Sequence, residues 1–151
     1  MRAAIAGVFG GVAAGLAMSL AMSLGRRAGV LHKTLAEHAE DWLDRAADTR
    51  SHIGQSGTWT LEQGNHIAAS AAFGFGYGLI RERGPAMPAW LLGAIYGSGL
   101  YVTNIVGIAP LIQLTEGEQN VPAPVRAERF GLHLLYGIVT GIVTDSLAME
   151  A

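Results

Sequence analysis

The chain has 151 residues, half of them hydrophobic, only 15% charged, and a formal net charge of −2. That length makes one domain, and so small a net charge without any long run of one sign excludes nucleic acid or an acidic polymer as partner. With no cysteine, disulfides, thiolate metal sites and thiol catalysis are excluded as well.

The remaining charges are clustered rather than spread over helix faces. Residues 3–25, 63–80, 84–115 and 130–144 carry no charged side chain. A bilayer crossing takes about 20 mainly apolar residues, because only a helix satisfies its own backbone where water is absent. The reading is an all-α, four-span transmembrane bundle, a single integral membrane domain over residues 1–151. Its spans fall near 3–25, 63–80, 86–114 and 130–149.

The first span follows Arg2 and runs past the length of an export-signal core, so it reads as a retained span rather than a cleaved leader. Along it Gly7, Gly11, Gly15, Ser19 and Ser23 recur every four residues and make one ridge of small side chains. In lipid the hydrophobic effect does not pull helices together, and such ridges let two backbones pack closely.

The loop between spans one and two, residues 26–64, contains a helix of its own near 34–48. Thr34 and Glu37 form a capping box, and Leu35, Ala39, Trp42, Leu43 and Ala46 share one face. The opposite face is acidic, which favours docking on the bundle or a partner over lipid headgroups. His32, His38 and His52 of this loop have a spacing that fits no compact metal site.

The second span brings Ser70, Gly74 and Gly78, the third Gly93 and Gly97, and the fourth Gly137 and Gly141. Between spans two and three, residues 81–85 form a tight polar turn, with Pro85 and Pro88 suited to starting a helix. The segment 107–110, ending in Pro110, either breaks span three or simply ends it. After it comes an acidic irregular loop over 117–124, whose Val121-Pro122-Ala123-Pro124 run should be extended.

Lys and Arg are commoner in the long loops than on the face holding both termini, which by the positive-inside rule places those loops in the cytoplasm. Four-span proteins with both ends inside are common too, and both orientations stay open.

Four polar residues of the spans are the candidate functional groups: His66, His133, Asn104 and Asp145. His66 and His133 each start a small-residue ridge, at similar depth. The pattern suggests two hairpins related by a pseudo-twofold axis, with His66 matching His133 and with Gly11 and Gly15 matching Gly93 and Gly97. An ionisable group inside a membrane is a functional hypothesis by default. Beside it stands the plainer reading that both histidines hydrogen-bond at the interface and that Asn104 joins two helices.

The run from His66 to Tyr77, Trp90 with Gly93 and Gly97, residues 109–115, and Phe130-Gly131-Leu132-His133 resemble the YagU-like family of small bacterial inner-membrane proteins. The likeness covers the last ninety or so residues. It implies a multi-pass protein of the bacterial plasma membrane and brings no chemistry with it.

No nucleophile elbow, phosphate loop or helical His-x-x-x-His pair is present, so no enzyme and no cofactor is expected. The expected function is structural or accessory, in a homo-oligomer or a larger membrane complex held through the small-residue ridges. The alternative is a small oligomeric proton or ion transporter or channel using His66, Asn104 and His133. A further alternative is haem or metal held by His66 and His133, joined by Glu62 and Glu128.

Overall fold

The computed structural model describes residues 2–29 and 35–149, and every regular element among them is helical. Helix α1 is Arg2–Arg27, α2 is Leu35–Ala47 and α3 is Thr49–Arg83. Helix α4, Ala89–Leu111, changes winding along its length: α over Ala89–Leu100, π over Tyr101–Ile108, and a last α turn over Ala109–Leu111. A 3₁₀ turn at Glu118–Asn120 leads into α5, Ala123–Met149.

Helices α1, α4 and α5 are long and apolar enough to cross a membrane. Helix α3 falls short of that measure because Gln63, Asn65 and His66 stand at the head of its apolar part. Large apolar side chains point outward and small ones inward, with Phe9 and Leu20 each 61% exposed and Ala14 at 0%. Water inverts that order in a soluble bundle.

The core is made of backbone approaching backbone. A Cβ added at Gly11 would lie 2.8 Å from the Gly74 Cα, and one at Gly137 would lie 2.7 Å from the Gly97 Cα. Helix α1 therefore zips to α3, and α4 zips to α5. The two hairpins repeat the same approaches: Gly7 meets the Gly74 carbonyl as Gly93 meets that of Gly137. Likewise Gly11 meets the Ser70 carbonyl as Gly97 meets that of His133.

These pairings correct the register expected from sequence. Gly7 and Gly11, not Gly11 and Gly15, correspond to Gly93 and Gly97. His133 thus takes the place of Ser70, one four-residue step from the match with His66. Ridges of small residues look alike when slid by four, and only the carbonyl each glycine touches decides between the slides.

The likeness between hairpins ends where they meet. On one side Gly10 admits α5, with a Cβ there 2.5 Å from Thr144 Oγ1. The equivalent position on α4 is Tyr96, and that of Thr140 is Tyr77. These two rings stand edge to face with centroids 5.4 Å apart, and the Tyr96 hydroxyl donates to the Phe73 carbonyl at 2.6 Å. Two tyrosines hold α3 and α4 apart where glycine and threonine let α1 and α5 close.

Several boundaries differ from expectation. Helix α3 starts at Thr49, well before residue 63, and kinks at Gly54, whose φ of 68° suits glycine. Val121 is extended as expected, but Ala123 and Pro124 begin α5, since proline lacks the N–H that a first turn leaves unused. Segment 107–110 does not unwind. In α geometry the Pro110 ring would collide with the carbonyl four residues back, and the wider π turns before it relieve that. The loop helix forms at Leu35–Ala47, while Lys33, Thr34 and His32 lie outside the described residues.

Candidate functional site

The separation of α3 from α4 leaves a cavity of about 540 Å³ with mainly apolar walls. Met18 and Met22 of α1 and Ala39 and Leu43 of α2 help to close it. The amphipathic face of α2 thus docks over the mouth of the bundle. Arg50 at the start of α3 fastens that helix, its side chain pairing with Asp41 at 3.0 Å and with Asp44 at 3.4 Å. Phe73 and Ile108 line the cavity and are 37% and 45% exposed, so the slot between α3 and α4 reaches the outer surface.

His66, Asn104 and His133, from three different helices, all line this one cavity. The His66 ring donates from Nε2 to the Gly15 carbonyl at 3.3 Å, and the His133 ring donates from Nδ1 to the Arg129 carbonyl at 2.8 Å. A carbonyl only accepts, so in each neutral ring the other nitrogen is left as an acceptor. Both histidines are therefore held by backbone carbonyls and still border the cavity. The Asn104 side chain makes no hydrogen bond to another described residue, so it does not join two helices among them. It sits in the π segment, a rare winding that is frequent at functional sites.

Asp145 lies elsewhere. At the end of the bundle that holds residues 2 and 149, it accepts from Arg81 Nε at 2.8 Å and Nη2 at 2.6 Å. That pair ties α3 to α5. Among the small residues, Gly7, Gly11, Gly15, Ser70, Gly74, Gly78, Gly93, Gly97, Gly137 and Gly141 all lie in the two zippers, and Ser19 is only half-buried. Those ten ridge positions are thereby used within the chain.

Sequence reasoning missed the most heavily buried charges among the described residues. Glu118, 6% exposed, and Arg129, 7% exposed, form an ion pair at 2.6 Å, and the Tyr101 hydroxyl donates to the other Glu118 oxygen at 2.6 Å. Glu118 lies in the loop expected to be irregular and acidic, and Arg129 stands just before the uncharged stretch 130–144. No periodicity relates a 3₁₀ turn to a helix, so nothing in the sequence pairs them. Tyr136 was missed too, and its hydroxyl donates to the Ser70 carbonyl at 2.6 Å, joining α5 to α3 beside the cavity.

A second cavity of about 430 Å³ lies between α2 and the segment after α4. Arg129 and Leu114 line both cavities and so form the partition between them. Among the described residues no group of three or more His, Asp or Glu side chains is placed to hold a metal ion. No protein-family model, no curated protein and no solved structure matches the chain.

Proposed function

We propose that this is a small polytopic membrane protein, without catalytic activity, that binds an elongated and mostly apolar molecule between its two hairpins. The observation that carries the reading is the convergence of His66, Asn104 and His133 on one mainly apolar cavity. Few polar groups set in apolar walls are the usual form of a small-molecule site. The apolar length of a ligand would enter through the slot beside Phe73 and Ile108, and an uncharged polar end such as a hydroxyl would meet Asn104 and the acceptor nitrogens of the histidines.

The reading includes a fourth span. The part of α3 from His66 to Arg83 runs against α1 through Gly74 and Gly78, and so shares the depth of a helix apolar enough to cross the bilayer. Its polar head at Gln63, Asn65 and His66 then sits at the long-loop surface. Location in a bacterial plasma membrane, in the manner of the YagU-like family, belongs to the same proposal. The accessory reading draws less support, because the ridges meant for a partner are filled from within.

Native mass spectrometry of the protein released from gentle detergent, titrated with dodecanol, tests it. Saturable one-to-one binding that weakens in Asn104→Leu, with the protein still folded, is the expected result. Adsorption without saturation, or binding indifferent to Asn104→Leu, overturns it.

A further inference from the structure

The partition between the two cavities carries an unfinished piece of chemistry. Among the described residues the buried side-chain atoms without a hydrogen-bond partner are Thr115 Oγ1, Arg129 Nε and Thr144 Oγ1. Thr144 faces the tight seam against Gly10. The other two belong to residues that line the second cavity. Arg129 is more than nine-tenths buried, and its Nη1 is engaged by Glu118 while its Nε–H is left over.

A buried donor without an acceptor is costly, and more so on a charged group. Guanidinium nitrogens only donate, so whatever completes Arg129 must accept; the hydroxyl of Thr115, which lines the same cavity, can donate as well. Arg45 from α2 lines the same space, as do the His38 ring and the Gln113 amide, against one carboxylate, that of Glu116. The backbone sets Thr115 in place. The end of α4 closes with Gln113 at a φ of 58°, its N–H bonded to the Pro110 carbonyl at 3.1 Å, and with the Leu114 N–H bonded to that of Ala109 at 2.8 Å. That is the paired closure of a Schellman motif, which fixes the direction of the residues that follow.

We infer that the second cavity is an oxyanion site, in which a carboxylate or phosphate group accepts from Arg129 Nε and Thr115 Oγ1. The inference rests on the reading of the larger cavity as an apolar binding site and adds where a charged head group, on a ligand that carries one, would go. Because Arg129 and Leu114 border both spaces, a molecule with its chain in the larger cavity can place a charged head in the smaller one. A free anion would meet the same donors.

Laurate and dodecanol share a chain and differ in the head, so their comparison isolates the oxyanion. In native mass spectrometry of the full chain, laurate should bind about tenfold tighter than dodecanol, the range for hydrogen bonds to a charged group. Thr115→Val, which keeps shape and removes the hydroxyl, should cut that preference several-fold. Because Arg129→Gln alone leaves Glu118 buried without its partner, the double variant Glu118→Gln/Arg129→Gln is the second test, and it should abolish the preference. Inorganic phosphate that competes with laurate supports the site and shows that free anions enter; laurate preference without phosphate competition supports it with the anion borne on a chain. Equal affinity for laurate and dodecanol, or a preference untouched by both variants, overturns it. Failure of dodecanol itself to bind overturns the larger-cavity reading instead, and phosphate binding lost in Thr115→Val would then still uphold the oxyanion site.

Discussion

Tyr77 and Tyr96 stand edge to face between α3 and α4 at the place where, in the other half of the bundle, Thr140 and Gly10 bring α5 against α1. Two similar hairpins thus meet closely on one side and stay apart on the other, and the open side holds the cavity.

Tyr96→Ala should let α3 and α4 approach, since it removes both the ring and the hydrogen bond to the Phe73 carbonyl. The chain has no cysteine, so spin labels at Ala68→Cys and Val102→Cys report that separation directly. A shorter distance in the Tyr96→Ala background is the expected outcome; an unchanged one would mean that the tyrosines do not hold the slot open.

Gly11→Leu and Gly97→Leu should each unzip a hairpin. A first added carbon already meets backbone there, and backbone cannot turn aside as a side chain can. The cost should reach or pass the upper end of the about 1–3 kcal/mol typical of overpacking. Gly99→Leu, where nothing lies within 4 Å, is the control and should change stability by less than about 0.5 kcal/mol. Reversible unfolding in mixed micelles with increasing SDS measures all three.

Glu118 and Arg129 should behave as a unit. Removing either partner strands a buried charge and should cost about 3–5 kcal/mol, whereas Glu118→Gln with Arg129→Gln should cost clearly less than the sum of the two. A double-mutant cycle from the same unfolding curves gives the coupling. Additive losses would show that the pair is not shielded as its burial implies.

Tyr136→Phe removes one hydroxyl that donates to the Ser70 carbonyl. Interhelical hydrogen bonds in membranes average about 0.6 kcal/mol and reach about 1.7 kcal/mol. A loss within that range, with dodecanol affinity kept, would assign Tyr136 to the joint between α3 and α5 rather than to the ligand.

The candidate site was legible in its parts and not in its assembly. His66, Asn104 and His133 stand out because a polar residue in an uncharged stretch is conspicuous, and all three line the cavity. Asp145 stood out for the same reason, yet its partner is Arg81 at the far end of the bundle. Arg129 and Thr115 sit next to charged, irregular chain, where a polar residue draws no notice.

The sequence by itself determined that the chain is helical, that its helices turn small residues toward one another, and that an amphipathic helix precedes α3. Those properties follow from composition and from periods of about four residues, which are local. The tertiary structure alone decided the register of the two hairpins, the burial of Glu118 against Arg129 and the side on which the bundle opens. A ridge of small residues is nearly unchanged when slid by one turn, so its register is fixed only by the carbonyls it meets on the neighbouring helix. The opening, in turn, depends on tyrosine facing tyrosine where glycine faces threonine in the other half, a contrast that exists only once the two hairpins are laid side by side.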